Sequence, residues 1–318
     1  MKLIVINSLG PMGSTLISSL VEHYGYLNFP LRKLGVHDYL SKKRKLEDNY
    51  LKNKFISLMK RYNEVQKLGG VSVLDRKNRP LIKKIDLNLV NKEINNFQKK
   101  NFESLKEMYF EAFFIFNKSL KYKLPIKHPL GAVELTNDIH KYQNCDLQYL
   151  YKKEFNEVYF INIRRDFLSW LNSFVSQYYS YPGLNLRSVF FKLSNVKKNF
   201  NSYENSLNKF KNSLDIYFDE MFIPNNLNLK YKIENYLKLK SNFDMEKMNY
   251  DLYGGLTDFK KAFTKHDDNH FFLPKTFHYL YKKLGKFYFK NIFLDLFLDI
   301  IFQLVYLIGY IKFKINNA

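Results

Sequence analysis

The chain has 318 residues, of which 46% are hydrophobic, so it can form one large α/β domain or two small ones, and its few glycines (12) and prolines (8) argue against long disordered linkers. One cysteine, Cys145, excludes a disulfide within the chain and a zinc site built from cysteines. The formal net charge of +21 favours polyanionic partners such as nucleotides, anionic lipid or acidic glycans, although part of the lysine excess is typical of an AT-rich genome.

The N-terminal segment predicts a strand, a loop and a helix. The apolar run Leu3–Ile6 is followed by a loop with Gly10 and Gly13, and a helical pattern begins near Ser14 and Thr15. Backbone N–H groups at such a helix N-terminus attract phosphate. The loop lacks the lysine of G-x-x-x-x-G-K-[ST], so a nucleotide triphosphatase is only weakly indicated, and an ordinary strand–turn–helix fits equally well. Because the apolar run is about four residues, shorter than the ~7–15 of a secretory signal, we expect a cytoplasmic protein.

The middle of the chain alternates between helical and strand patterns. Residues from about 31 to 120 have apolar positions at helical spacing and predict a helical insertion. A buried strand, Val158–Ile163, then leads through Arg164, Arg165 and Asp166 into an amphipathic helix. This order predicts an α/β fold with a mostly parallel central sheet and helices on both faces. Ligands bind such sheets at the carboxyl ends of the strands.

The C-terminal segment "NIFLDLFLDIIFQLVYLIGYIKF" predicts a very apolar helix with a narrow polar stripe. Asp295, Asp299 and Gln303 recur every four residues and share one face. Core or oligomer packing and an in-plane position on a membrane are both compatible with this pattern. A spanning helix is disfavoured, since each carboxylate costs roughly 2.5–3.5 kcal/mol at mid-bilayer. Flanking lysines mildly favour an anionic membrane surface, which would place the protein at the inner face of the membrane.

The first loop resembles a known family. "PMGSTLISSL" is similar to the P-[KR]-S-G-[ST]-[ST]-[LW] loop of sulfotransferases that use 3′-phosphoadenosine 5′-phosphosulfate, and it matches the G-S-T-L part at Gly13, Ser14, Thr15 and Leu16. In that family the loop holds the 5′-phosphosulfate. The resemblance therefore implies that this loop binds the nucleotide co-substrate.

A second segment, "FINIRRDFLSWLNS", resembles the family's strand ending in R-[ND]-P-x-D-x-x-x-S, whose arginine and serine hold the 3′-phosphate. It lacks N-P and is about two residues shorter. The resemblance therefore leaves open whether Arg164 or Arg165, and whether Ser169 or Ser173, hold that phosphate. The family's arginine-to-serine separation fits Arg165 with Ser173, whereas the end of the strand fits Arg164.

Two later segments extend the resemblance to about residues 1–265. "LDIYFDEMF" resembles a strand ending in Y-E-D-[LM], and "LYGGLTDFKKAF" resembles a glycine-containing loop followed by W-K-x-x-F that covers the nucleotide. The resemblance implies a P-loop-like three-layer sandwich. We expect residues 1–270 to form this domain and residues 271–318 to form a helical extension that contacts a membrane or a partner.

The catalytic groups follow from the same resemblance. The loop cation that stabilises the leaving nucleotide is missing, and Lys127 is our candidate to replace it. "LPIKHP" resembles the family's K-T-H-L-P, whose histidine takes the acceptor's proton, which implies that His128 is the base, with Glu134 as the alternative. No metal is expected, because the residues between His266 and His270 predict a turn rather than a metal-binding helix.

The sequence thus predicts a sulfotransferase that acts on a hydroxyl or amine of a glycan, lipid or small acceptor. Two alternatives stay open: a P-loop kinase with a variant loop, and a membrane-associated module that binds nucleotide without catalysis. A nucleic-acid binder is less favoured, since the basic residues are spread along the chain. A glycan or lipid-linked acceptor and a homo-oligomer formed through the C-terminal helix are further expectations.

Overall fold

A computed structural model describes most of the chain. The described residues are 1–10, 13–28, 34–67, 86–119, 128–137, 139–179, 192–222, 227–239, 273–287 and 289–316.

Five parallel strands form the central sheet in the order β2-β3-β1-β4-β5. The strands are β1 (Lys2–Asn7), β2 (Tyr26–Asn28), β3 (Gly131–Thr136), β4 (Val158–Arg164) and β5 (Leu214–Tyr217). β1 and β4 are rich in β-branched and aromatic residues, as expected for strands buried on both faces. The predicted α/β class with a mostly parallel sheet is therefore confirmed.

Helices connect the strands and cover both faces of the sheet. The first six are α1 (Ser14–His23), α2 (Val36–Ser41), α3 (Tyr50–Lys67), α4 (Leu87–Lys99), α5 (Leu105–Lys118) and α6 (Leu147–Glu154). The others described are α7 (Phe167–Tyr179), α8 (Leu193–Leu207), α9 (Leu227–Leu237), α10 (Lys275–Leu284) and α11 (Ile292–Asn316). Short 3-10 turns lie at Leu46–Asp48, Ile139–Tyr142, Phe218–Phe222 and Gly285–Phe287.

The two helical layers can be assigned from their contacts with β3 and β4. α9 packs on one face, where Tyr236 lies edge-on to Tyr159, and α1 joins this layer because Tyr24 hydrogen-bonds to Glu234 of α9. On the other face, α6 and α8 cover the side chains of Phe160 and Arg164. α5 lies on that second face as well, through Tyr109 against Glu134 of β3. The result is a three-layer sandwich.

A row of polar side chains crosses the second face near the carboxyl ends of four strands. Thr136 donates to Asn7 (2.6 Å), Asn7 donates to Asn162 (2.8 Å), and Asn162 donates to Asp215 (2.9 Å). Above the row, the buried hydroxyl of Tyr203 in α8 lies within hydrogen-bond distance of the carbonyls at the ends of β1 and β4. This network fixes the carboxyl ends of β3, β1, β4 and β5 relative to one another.

α11 packs along the body of the protein with one side only. Leu298, Phe302 and Tyr306 are buried, and the helix contacts α7, α8 and α10. Among the described residues, Ile292–Lys312 is one candidate membrane span by length and composition, with a mean hydropathy of 2.1, and only 17% of its most apolar window is buried inside the protein. The predicted apolar C-terminal helix is confirmed.

Candidate functional site

The two predicted motifs meet at one crevice of the sheet. β1 leads through α1 to β2 near one edge, whereas the neighbouring β4 leads through α7 and α8 to β5 at the other edge. Adjacent parallel strands whose connections leave in opposite directions form the crevice where open α/β sheets bind ligands. The loop that follows β1 and the turn that follows β4 both lie at its mouth.

The N-terminus of α1 is built to accept an anion. Its N-cap is Gly13, in the left-handed conformation (φ 82°, ψ 11°), and its first turn holds no acidic residue. The Gly13 carbonyl begins the helix by accepting from the N–H groups of Leu16 and Ile17. The N–H groups before Leu16, at Ser14 and Thr15, precede the first hydrogen bond of a helix, and the helix dipole adds a partial positive charge there.

α7 differs from α1 in this respect. The Asp166 carboxylate accepts hydrogen bonds from the N–H groups of Leu168 and Ser169, at 2.9 and 3.1 Å, and so closes the N-terminus of that helix. Of the two helices that begin at the crevice, α1 is therefore the one whose N-terminus carries no acidic cap.

Arg165 and this N-terminus are both close to one aromatic ring, that of Phe218. The Arg165 guanidinium stacks 3.6 Å from the ring centroid of Phe218. The same ring lies close to Gly13, where a Cβ atom would lie 3.3 Å from the Phe218 ring and 2.8 Å from the sulfur of Met221. Burial lowers the pKa of Arg165 to about 10, against the opposing effect of nearby carboxylates, so the side chain stays cationic at neutral pH.

Arg164 has a different environment. Its guanidinium pairs with the carboxylates of Asp215 and Glu204, each at 2.7 Å, and donates to the side chain of Asn208. Two carboxylates on one arginine leave little capacity for a phosphate. Of the two arginines that the sequence left open for the 3′-phosphate, these contacts favour Arg165, because Arg164 is bound to the polar row of the sheet.

The two candidate serines lie on α7. Ser169 and Ser173 are half-buried and one helical turn apart, on the same face. Ser169 belongs to the first turn capped by Asp166, whereas Ser173 lies beyond it. Both remain candidates for the 3′-phosphate.

Two further basic residues approach Asp166 and were missed by the sequence analysis. Lys197 of α8 lies over the ring of Phe167, at 4.0 Å, and His278 belongs to α10. Burial lowers the pKa of both side chains, while the Asp166 carboxylate acts in the opposite direction on each. With Arg165, basic side chains from three elements therefore lie around the turn at Asp166. No spacing in the sequence relates these residues, because only tertiary packing brings them together.

His128 lies far from the crevice. It is exposed and precedes β3, whose first residue, Gly131, pairs with Lys2 at the amino end of β1. Six residues of strand span about 20 Å, which separates this end from the Gly13 loop. The structure therefore does not bring His128 together with the phosphate-binding motifs, in contrast to what the resemblance implied.

Glu134, the alternative base, is buried and occupied. It accepts a hydrogen bond from the Tyr109 hydroxyl (2.9 Å) and from the backbone N–H groups of Leu34, Gly35 and Val36. Burial raises its pKa, which the hydrogen bonds partly offset. These contacts give Glu134 the role of joining β3 to α2 and α5.

Several predicted residues lie outside the described part of the chain: Lys127, the side chain of Thr15, the late glycine loop and the pair His266 and His270. Gly10 is described, with a left-handed φ of 64° and open space around it. Among the described residues, no group of three or more His, Cys, Asp or Glu side chains could hold a metal ion.

The chain was compared with known proteins in three ways. No protein-family model matches it, and no curated protein matches it. Among solved structures, it is similar to a sulfotransferase domain from the curacin biosynthetic pathway, with 15% sequence identity and a TM-score of 0.42 over 77% of this chain and 75% of that one.

Proposed function

We propose that this protein binds 3′-phosphoadenosine 5′-phosphosulfate in the crevice between β1 and β4 and transfers its sulfuryl group to a hydroxyl or amine. The observation that supports this most directly is the N-terminus of α1, which carries no acidic cap and packs against the same Phe218 ring as Arg165. A helix N-terminus and an arginine are two independent anion-binding elements. A nucleotide with phosphates at both its 5′ and 3′ positions would use both.

The binding roles follow from this placement. Backbone N–H groups from Gly13 and Ser14 onward would hold the phosphosulfate, and Arg165 with Ser173 would hold the 3′-phosphate. The acceptor oxygen or nitrogen would attack sulfur in line, the bond from sulfur to the bridging oxygen would break, and the nucleotide bisphosphate would leave. Lys127 stays our candidate for stabilising the charge that develops on that leaving group.

The base must lie at the carboxyl end of the sheet to reach such an acceptor. His140 meets this condition, because it belongs to the 3-10 turn Ile139–Tyr142 directly after β3. A positioned base contributes typically 10²–10⁴-fold to the rate. We therefore expect His140→Gln to lower kcat by about that factor and His128→Gln, at the far end of the sheet, to leave it within about twofold. The reverse result would restore His128 as the base.

A glycan or lipid-linked acceptor, and a position on the cytoplasmic side of the membrane, belong to the same proposal. They are supported by the net charge of +21 and by the exposed apolar surface of α11.

Thermal unfolding with ligands tests the binding step. A ligand that binds only the native state adds about 2.7 kcal/mol of stability at a concentration of 100 Kd. We expect 3′-phosphoadenosine 5′-phosphate to raise the melting temperature and ATP with magnesium to have a much smaller effect. Stabilisation by ATP with magnesium alone would instead favour a variant P-loop kinase.

The two neighbouring arginines provide a matched pair of variants. Arg165→Met should abolish the shift caused by the nucleotide bisphosphate and change the stability of the ligand-free protein little. Arg164→Met should do the opposite, because it breaks two ion pairs of the sheet edge and leaves the crevice intact. Loss of the shift in Arg164→Met alone would contradict this assignment.

Transfer is measured separately, with radiolabelled co-substrate and a panel of acceptors. Nucleotide binding without transfer to any acceptor would favour the non-catalytic module over the enzyme.

A further inference from the structure

α11 presents an exposed apolar stripe along its length. The stripe, called here the apolar face, consists of Ile292, Phe293, Leu296, Phe297, Ile300, Leu304, Ile308 and Ile311. Most of these positions are three or four residues apart and therefore lie on one side of the helix. Phe293 is 81% exposed. Contiguous apolar surface of this kind marks an interaction site.

The opposite side of α11 is fixed to the protein. Leu298, Phe302 and Tyr306 are buried there, and Phe302 packs against Phe277 of α10. Asp299 accepts hydrogen bonds from the backbone N–H and the hydroxyl of Ser194, at 2.8 and 2.9 Å. The helix therefore has two apolar sides, of which one packs against the core and the other is exposed on the surface.

The polar stripe predicted from the sequence is explained by these contacts. Asp299 caps the first turn of α8 through Ser194, and Asp295 accepts from the backbone N–H of Phe289. Asp299 therefore attaches α11 to α8, and Asp295 holds the turn that precedes α11. A helix that spans a bilayer would have to release Asp299 from Ser194 and the buried side chains from α8 and α10.

Exposed basic and aromatic side chains lie on α10, which packs against α11, and near the two ends of α11. Exposed lysines lie on α10, in the turn before α11 and near its end: Lys275, Lys282, Lys283, Lys290 and Lys312. Exposed aromatic residues accompany them at Tyr279, Phe287 and Phe289. Aromatic rings and lysines beside an apolar helix face are typical of proteins that lie in the interface of an anionic bilayer.

We propose that the apolar face of α11 docks this protein onto the surface of an anionic lipid bilayer, with α11 lying in the plane of the membrane. The charge decides between a bilayer and a second copy of the chain. Two copies that meet through this face would bring their lysines together within molecules that each carry a net charge of +21. Anionic headgroups complement the same lysines, and each lysine near such a surface strengthens binding by about fivefold.

Vesicle sedimentation of the full chain tests the proposal. We expect the protein to sediment with vesicles of phosphatidylcholine and phosphatidylserine, and much less with vesicles of phosphatidylcholine alone. Phe293→Glu should weaken binding to the anionic vesicles by at least about tenfold, since it replaces a ring that would insert into the bilayer with a charge that the headgroups repel. Raised salt should also weaken binding.

Tyr149→Glu is the matched control. Tyr149 lies on α6 and is 62% exposed, so the change removes an exposed aromatic ring and adds the same charge elsewhere on the surface. Its binding should equal that of the unmodified chain, and thermal unfolding should show that both variants fold. Equal losses in the two variants would overturn the proposal.

Two further measurements separate the alternatives. Dimers of the unmodified chain that Phe293→Glu dissociates, without binding to anionic vesicles, would assign the face to a second copy. Cellular membranes that retain the protein after an alkaline carbonate wash would show a spanning helix, whereas release supports docking at the surface.

Discussion

Two glycines of the first loop offer a stringent test of the site geometry. Gly10 and Gly13 both have a left-handed backbone, with φ of 64° and 82°. An alanine in that conformation costs roughly 1–2 kcal/mol. The two positions differ in their surroundings, because a Cβ at Gly10 meets nothing within 4 Å, whereas one at Gly13 would lie 2.8 Å from the sulfur of Met221 and 3.3 Å from Phe218.

The expected costs follow from that difference. Gly10→Ala should lower the free energy of unfolding by about 1–2 kcal/mol, from backbone strain alone. Gly13→Ala adds overpacking, typically 1–3 kcal/mol, and should total about 2–5 kcal/mol. Urea unfolding can be followed by the fluorescence of Trp170, the one tryptophan of the chain, whose indole donates to the Leu9 carbonyl in the same loop.

A double-mutant cycle with Met221→Ala identifies the cause. If the methionine is the obstacle, the combined variant should be less destabilised than the sum of the single changes by about 1 kcal/mol or more. Equal destabilisation by Gly10→Ala and Gly13→Ala would refute the close packing of Phe218 and Met221 against the N-terminus of α1. It would also remove the structural link between that helix and Arg165.

Three other outcomes are expected. Asp38 is partly buried, which opposes ionisation, but Lys42 and two tyrosine hydroxyls lower its pKa to about 2. Asp38→Asn should therefore cost about 1–2 kcal/mol at neutral pH, with the exposed lysine discounted, and the difference should vanish between about pH 4 and pH 2 in acid unfolding. Asp299→Ala should cost about 1 kcal/mol and speed proteolytic release of α11, and unchanged cleavage would show that Asp299 does not hold the helix. Asn162→Leu should cost about 2–4 kcal/mol in urea unfolding, because it leaves polar neighbours of the sheet unsatisfied, and a neutral change would contradict the role given to the polar row.

Much of the fold could be predicted because its signals are local. The apolar run that became β4 and the alternation of strands with helices need only neighbouring residues for their interpretation. The C-terminal helix was predicted for the same reason. The choice between Arg164 and Arg165 could not be made in this way, because the carboxylates that occupy Arg164 come from α8 and β5, 40 and 51 positions further along the chain.

The assignment of the base shows a different limit. The match of the segment around His128 to the family motif did not show where the neighbouring strand begins and ends. In the structure, β3 begins three residues after His128, so the histidine precedes the strand instead of following it. A shift of one strand length moves a residue to the opposite edge of a parallel sheet. His140 carried no signal of its own, since its position depends entirely on where β3 ends.

The polar row of the sheet has a consequence for how the chain finds its native alignment. Asn7 is opposite both Thr136 and Asn162 in the strand pairing, and Asn162 is opposite Asp215. Purely hydrophobic strands buried on both faces could shift by one residue with little loss of stability. Here such a shift would place an isoleucine of β4 opposite Asn7 and leave several buried amide groups without hydrogen-bond partners. The polar row therefore specifies the register of the strands and makes misaligned pairings unfavourable during folding. The row lies at the carboxyl ends of the strands, so it also fixes the positions at which the loops of the crevice begin.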